Sequence, residues 1–348
     1  MDRFMSEKII YWLGAYNPEM EAIAKEVRVL HSYFSDSFVF SMTPYKEFEI
    51  GSRMFKCYRK INPLRPFISL LARRFDISHI FGWGGETYYL NRLNNGYKVL
   101  TVSGGLPKAI PVETLKKAAI LVVESETDKA RLIAAGIRPD KIRLIYPGIM
   151  PLPGIPKTAK TPFTILFASA PLTAETFASR GMYLLMKVAQ KLPDIRFLIL
   201  WRVRQTELME RLIDGNHRCK NVFFINRIVK NMQEIYQEVD AVIAPFTTLE
   251  LNKPCPLSII EGLSREKPTI VSELVGIKDI IERERCGVVS RAGVDDVAAA
   301  ILQLKQNYEF YRSNCLSTVR RYFSLDNFIK NYQTVYAELA GRRVPSGA

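Results

Sequence analysis

The stretch from Pro147 to Pro162 carries five prolines (147, 151, 153, 156 and 162) and two glycines (148 and 154). It cannot be a helix or a central strand, because each proline fixes φ and removes a backbone donor. One pattern is written on both sides of it. Before it, apolar runs predict strands at Ile9–Leu13, Ser37–Ser41, Ile77–Phe81, Lys98–Val102, Ala119–Val123 and Ile142–Tyr146. Helical spacing lies between several of them, as at Glu19–Tyr33 and Glu126–Ala135. After it the strands are Thr164–Ala168, Arg196–Trp201, Asn221–Ile225, Ala241–Ala244, Thr269–Ser272 and Gly287–Ser290. Met182–Lys191, Met232–Glu238 and Asp295–Leu304 are helices among them, and Asp295-Asp296 has the look of a helix N-cap. Strand alternating with helix gives a mostly parallel sheet covered on both faces. The expected fold class is therefore α/β, with two doubly wound Rossmann-like domains facing across a cleft. The expected domains are 1–150, a linker at 151–162, and a second domain at 163–323. Helices at Glu309–Tyr322 and Leu325–Leu339 end the chain, and residues 324–348 are free to pack back on the first domain.

Composition excludes several functions. The five cysteines (Cys57, Cys219, Cys255, Cys286, Cys315) form no C-x-x-C pair, which argues against a structural zinc or a disulfide framework and for a reducing, cytoplasmic setting. The three histidines (His31, His79, His217) show no H-E-x-x-H spacing, so no histidine-built metal site is expected. No apolar run approaches the ~20 residues that span a bilayer, and the first residues do not form a secretory signal. Net charge is +14, from 49 basic and 35 acidic residues, which suits an anionic partner. Between Glu49 and Asp76 stand seven basic residues and no acid: Arg53, Lys56, Arg59, Lys60, Arg65, Arg73 and Arg74. Phe55, Tyr58, Phe67, Leu70 and Leu71 are interleaved. That mixture fits peripheral contact with an anionic membrane. It equally fits a solvated helix face over a core. Nucleic acid has only the charge in its favour, with no recognition motif.

The block Pro256-Leu-Ser-Ile-Ile-Glu-Gly-Leu-Ser-Arg-Glu-Lys-Pro-Thr-Ile-Val-Ser272 is the richest in chemistry. Pro256 has the preset φ of a first helical turn. Leu257, Ile260 and Leu263 recur at helical spacing, and Glu261 interrupts them. Lys267-Pro268 is expected to end the helix, and Thr269-Ile-Val271 is strand-like. Backbone N–H groups at a helix start hold anions. A carboxylate one turn in accepts hydrogen bonds from a vicinal diol, or pairs with Arg265 four residues on.

This block resembles the nucleotide-sugar site of GT-B glycosyltransferases, specifically glycosyltransferase family 4. The resemblance is densest from about residue 119 onward. Ala119-Ile-Leu-Val-Val-Glu-Ser125, Asp140-Lys-Ile-Arg-Leu-Ile-Tyr-Pro-Gly148, Arg180-Gly181, Asn221-Val-Phe-Phe, Ile235-Tyr-Gln-Glu-Val-Asp240 and Ala244-Pro-Phe246 follow in the family's order. It implies a retaining, metal-independent transferase that needs no cofactor and takes a nucleotide-diphosphate sugar. It implies ribose binding by Glu261 and diphosphate contacts from Pro256, Leu257 and Ser258. Arg180 stands where the family usually has lysine, and neutralises the departing diphosphate. Lys253 stands where the family commonly has a second glutamate, and either supplies charge to the diphosphate or contacts an acidic sugar. Ser169-Ala170 replaces an arginine often found after the first strand of this domain. Gly276 matches a glycine turn that needs φ > 0 or close approach. Gly14 ends the first strand, where backbone can approach the donor phosphate. Trp83, Gly84 and Glu86 shape the acceptor cleft, with Trp83 either stacking on a sugar or buried structurally. Ser103 stands where many members carry a histidine that contacts the donor sugar. The expected acceptor is a lipid-linked or anionic glycan, reached on a peripheral membrane site on the cytoplasmic face. The departures at Ser103, Ala170 and Lys253 leave open a catalytically silent GT-B module that acts as a binding or partner subunit.

Overall fold

The structure is a computed structural model. It describes residues 7–341, except 20, 44–53, 57–64, 83–86, 94–95, 152–161, 170–173, 202–206, 208–210, 212–218, 230 and 251. The expected linker falls almost entirely outside the described residues. The chain forms two compact units, Met1–Gly148 with Asp326–Ala348, and Ile149–Leu325.

The first unit holds seven parallel strands in the order β3-β2-β1-β4-β5-β6-β7. They are β1 (Ile9–Ala15), β2 (Ser37–Thr43), β3 (Met54–Lys56), β4 (Ile77–Phe81), β5 (Tyr97–Val102), β6 (Ile120–Val123) and β7 (Ile142–Leu144). β4 and β6 are buried along their whole length. Strands covered on both faces read as continuous apolar runs, which is why they stand out in the sequence. Trp12, Phe40, Tyr89 and Leu121 lie in the core of one face. The last helix, Leu325–Gly341, buries Phe328, Tyr332, Val335, Tyr336 and Leu339. Tyr332 and Tyr336 meet Thr101 and His79 of the first sheet.

The second unit has six parallel strands in the order β10-β9-β8-β11-β12-β13. They are β8 (Thr164–Phe167), β9 (Arg196–Trp201), β10 (Val222–Asn226), β11 (Ala241–Ala244), β12 (Thr269–Ser272) and β13 (Gly287–Ser290). Helices Met182–Lys191 and Val294–Gln306 cover one face, with Phe167, Phe177, Met186, Trp201 and Ile301 in the core between.

Four expectations are corrected. β3 was not expected: it pairs with β2 at the sheet edge, within the basic stretch. The first helix starts at Ala22 rather than Glu19. The helix expected at Glu309–Tyr322 is two helices, Tyr308–Ser313 and Cys315–Tyr322. Between them the Asn314 side chain donates to Arg285 O (3.1 Å) and Phe310 O (3.0 Å), a local alternative to helix hydrogen bonding. Gly293, not the Asp295-Asp296 pair, caps Val294–Gln306, and the two acids fall in its first turn, where negative charge suits the helix dipole.

Candidate functional site

In doubly wound sheets ligands bind beyond the carboxyl ends of the strands, where the strand order reverses. In the second sheet the reversal lies between β8 and β11. The chain leaves β8 toward Ser169, which is half-buried, and leaves β11 toward Pro245. Gly181 opens the helix Met182–Lys191 with φ 78°. A Cβ there would lie 1.8 Å from the Pro245 carbonyl oxygen, so only glycine permits this approach. The turn is then tied down. The Ser179 carbonyl accepts from Thr247 N–H (2.8 Å), from Thr247 Oγ1 (3.3 Å) and from Asn252 Nδ2 (3.2 Å). Arg180, Lys253 and the helix after them are thereby brought to one edge of one sheet. Arg180 and Lys253 are both half-buried.

Pro256 precedes the helix Leu257–Leu263 as its N-cap, with ψ 121°. It does not occupy the first helical turn, as the sequence predicts. Its carbonyl receives Ile259 N–H at 3.0 Å, and Leu257 and Ser258 head the helix as half-buried residues whose N–H groups have no intrahelical acceptor. Nor does Lys267-Pro268 end the helix. It stops at Leu263, and Glu266 takes a left-handed φ of 57°, with Lys267 N–H closing on Gly262 O at 2.9 Å.

Glu261 is half-buried on this helix. The Tyr236 hydroxyl, on the helix Met232–Glu238, lies 3.4 Å from Glu261 Oε2 and 3.3 Å from Ser258 O. Burial pushes the Tyr236 phenol well above its ordinary value, and the Glu261 charge pushes it further. The Arg265 guanidinium sits over the Tyr236 ring at 5.1 Å. Tyr236 therefore holds both the carboxylate and the first turn of the helix that carries it. Sequence analysis missed it as a site residue, as it missed Thr247 and Asn252. Tyr236 lay in view within the Ile235–Asp240 motif, but nothing local marks its hydroxyl as a contact.

Gly276 does not adopt positive φ, unlike Gly82, Gly96, Gly105, Gly136 and Gly181. Its role is contact: its N–H donates to Pro254 O at 2.8 Å, closing the loop that carries Lys253.

In the first unit the order reverses between β1 and β4. Gly14 lies within β1, which runs on to Ala15, so it does not end the strand. Ser103 follows β5 and is fully buried, with no hydrogen-bond partner for its Oγ. Trp83, Gly84 and Glu86 lie outside the described residues, as do Ala170, Arg53, Arg59 and Lys60. Lys56 belongs to β3, and Arg73 and Arg74 are exposed just after the helix Arg65–Ala72. Among the described residues no group of three or more His, Cys, Asp or Glu side chains could hold a metal ion. Among them also, no helix is long and apolar enough to cross a membrane.

Residues 166–307 match the family described as glycosyl transferases group 1. No curated protein matches the sequence significantly. Sucrose-phosphate synthase from Thermosynechococcus elongatus superimposes with TM-score 0.78 at 15% identity, over 97% of this chain and 100% of that one. HepE from Anabaena gives 0.76 at 14%, over 95% and 99%. A glycosyltransferase from Rickettsia africae gives 0.75 at 15%, over 97% and 100%. The chain thus takes the GT-B fold of these structures, and residues 166–307 carry the pattern of the glycosyl transferases group 1 family.

Proposed function

We propose that the protein moves a sugar from a nucleotide-diphosphate sugar to a hydroxyl of a lipid-linked or anionic acceptor, with retention of configuration and without a metal. The observation that carries this reading is the tied edge of the second sheet, where Ser179 O gathers the Thr247–Asn252 loop beside Arg180. Solved structures of HepE hold UDP with glucose, and UDP-glucose, which supports a donor of that class. Glu261 accepts hydrogen bonds from the ribose diol. The N–H groups of Leu257 and Ser258 and the Ser258 hydroxyl face the diphosphate, with Pro256 setting their direction. The C1–O bond to the diphosphate breaks, and negative charge grows on the leaving oxygens. Arg180 and Lys253 stabilise that charge where it develops. The acceptor oxygen bonds C1 on the same face, and its proton passes to the leaving phosphate. Gly14 lets backbone approach the donor phosphate, Trp83, Gly84, Glu86 and Ser103 belong to the acceptor side, and the enzyme works at the cytoplasmic face of a membrane.

A thermal-shift panel of nucleotide diphosphates and their sugars tests this. A ligand at 100 times its dissociation constant stabilises by ~2.7 kcal/mol, a visible shift. If no nucleotide moves the melt, the donor site is wrong. If one does and neither transfer nor hydrolysis follows, the protein is a silent binding module. Lys253→Ala that turns over the donor like wild type removes Lys253 from the machinery.

A further inference from the structure

The amino-terminal edge of the first sheet, opposite its carboxyl ends, gathers cations from three consecutive connections and from β5 itself. Arg73 and Arg74 precede β4, Arg92 ends the helix Tyr88–Arg92 before β5, Lys98 lies at the start of β5, and Lys116 and Lys117 precede β6. Hydrogen bonds join them into one surface. Ser69 Oγ donates to Arg92 O at 3.2 Å, tying the helix Arg65–Ala72 to Tyr88–Arg92. Lys117 Nζ donates to Asn91 Oδ1 at 2.7 Å, and Lys98 Nζ to Leu90 O at 3.2 Å. Lys141, just before β7, donates to Lys116 O at 3.1 Å. Crowding is evident at Lys98, whose ammonium is held below its ordinary value by burial and then by the charge of Lys117. The acids nearby are engaged: Glu113 pairs with Lys116 at 2.7 Å, and Asp76 receives the Lys8 backbone N–H at 2.9 Å.

An apolar side chain stands within this charge. Leu70 is 60% exposed. Arg73 and Arg74 follow it in the turn that closes this helix, where Arg73 N–H donates to Ser69 O (3.3 Å) and Arg74 N–H to Leu71 O (3.0 Å), and both are exposed. A polyanion in solution needs only the cations. An exposed leucine between arginines suits the boundary between lipid headgroups and acyl chains.

We propose that this edge, around Leu70, Arg73, Arg74, Arg92, Lys98 and Lys117, is a docking surface for an anionic lipid bilayer. It gives the peripheral membrane contact of the proposed function a specific place. β5 is six residues long, so the surface lies about 20 Å from the carboxyl ends of the strands. It anchors the protein and leaves the carboxyl edge of the sheet uncovered.

The test is co-sedimentation of the full chain with phosphatidylcholine vesicles, with and without phosphatidylglycerol. Binding is expected only with phosphatidylglycerol, and is expected to fade in about 1 M salt, where the Debye length is ~3 Å. Each Lys or Arg near such a surface contributes about fivefold, so Arg73→Ala with Arg74→Ala is expected to weaken binding about 25-fold. Arg73→Lys with Arg74→Lys, which keeps the charge, should bind like wild type. Lys305→Ala with Arg320→Ala removes the same charge from exposed positions of the second unit and should also bind like wild type. Leu70→Ser should weaken binding at unchanged charge. Equal losses in the two alanine pairs, no loss in the arginine pair, or capture by soluble polyphosphate without vesicle binding each overturn the proposal. The UDP-induced melt shift, read on the same proteins, belongs to the donor site. It stays in the Arg73/Arg74 variant if the surface acts as stated, and its absence in wild type counts against the donor reading alone.

Discussion

His79 Nδ1 lies 2.6 Å from the hydroxyl of Tyr336, 257 residues further along the chain. The other ring nitrogen meets Thr101 Oγ1 at 2.8 Å, and that oxygen meets the Tyr332 hydroxyl at 2.9 Å. All four residues are buried. The network fixes where the last helix sits on the first sheet, because a buried polar group left unpaired is costly.

Burial holds the His79 imidazole well below its ordinary value of 6.5. The folded protein keeps it neutral where the unfolded chain takes up a proton. The stability is therefore whole above about 6.5 and is lost as pH falls below it, at up to about 1.4 kcal/mol per pH unit. Urea unfolding at about pH 7.5 and about pH 5.5 is expected to show this loss in wild type and a shallower one in His79→Gln.

Tyr336→Phe leaves His79 Nδ1 without its partner and should cost about 1–3 kcal/mol. Tyr332→Phe leaves the Thr101–His79 contact in place and should cost less, about 0.5–1.5 kcal/mol. Because both changes touch one network, the double variant should depart from the sum of the two. Denaturant midpoints of the three proteins measure it.

Gly181 and Gly136 both have positive φ, 78° and 90°, but differ in surroundings. A Cβ at Gly136 meets nothing within 4 Å, so Gly136→Ala should cost only the left-handed strain, about 1–2 kcal/mol. Gly181→Ala adds a backbone clash with Pro245 and should cost more than about 3 kcal/mol, or displace the Arg180 turn. Paired melts with and without UDP separate the two: only Gly181→Ala should lose the nucleotide shift.

Glu261→Gln should weaken donor binding about tenfold to a hundredfold, as expected for a hydrogen bond to a charged group. Tyr236→Phe removes only the group that holds this carboxylate, so the donor KM should rise several-fold with kcat little changed. A fall in kcat with KM unchanged would instead place Tyr236 in the chemical step.

The strands that form the two sheets were legible because burial on both faces leaves unbroken apolar runs such as Ile120–Val123 and Ala241–Ala244. β3 was hidden because three residues at a sheet edge, Met54–Lys56, carry no such run among arginines and lysines. At the site, Arg180-Gly181 and Glu261 were legible as local motifs. Tyr236 and Asn252 were not, since their partners Glu261 and Ser179 are 25 and 73 residues away and nothing in the local sequence records a long-range contact. The proline rule misplaced the end of Leu257–Leu263 for a related reason: Glu266 accepts a left-handed conformation that its residue type does not announce.

The first unit is built from two separated pieces of chain, whereas the second is continuous from Ile149 to Leu325. A ribosome therefore finishes the whole second unit before it delivers Tyr332 and Tyr336. Until then His79 and Thr101 have no phenols to meet, and the half of the molecule translated first is the half completed last. Nascent chains of this protein should mature in the reverse of the order in which they are made, with the early sheet left to wait for its final helix.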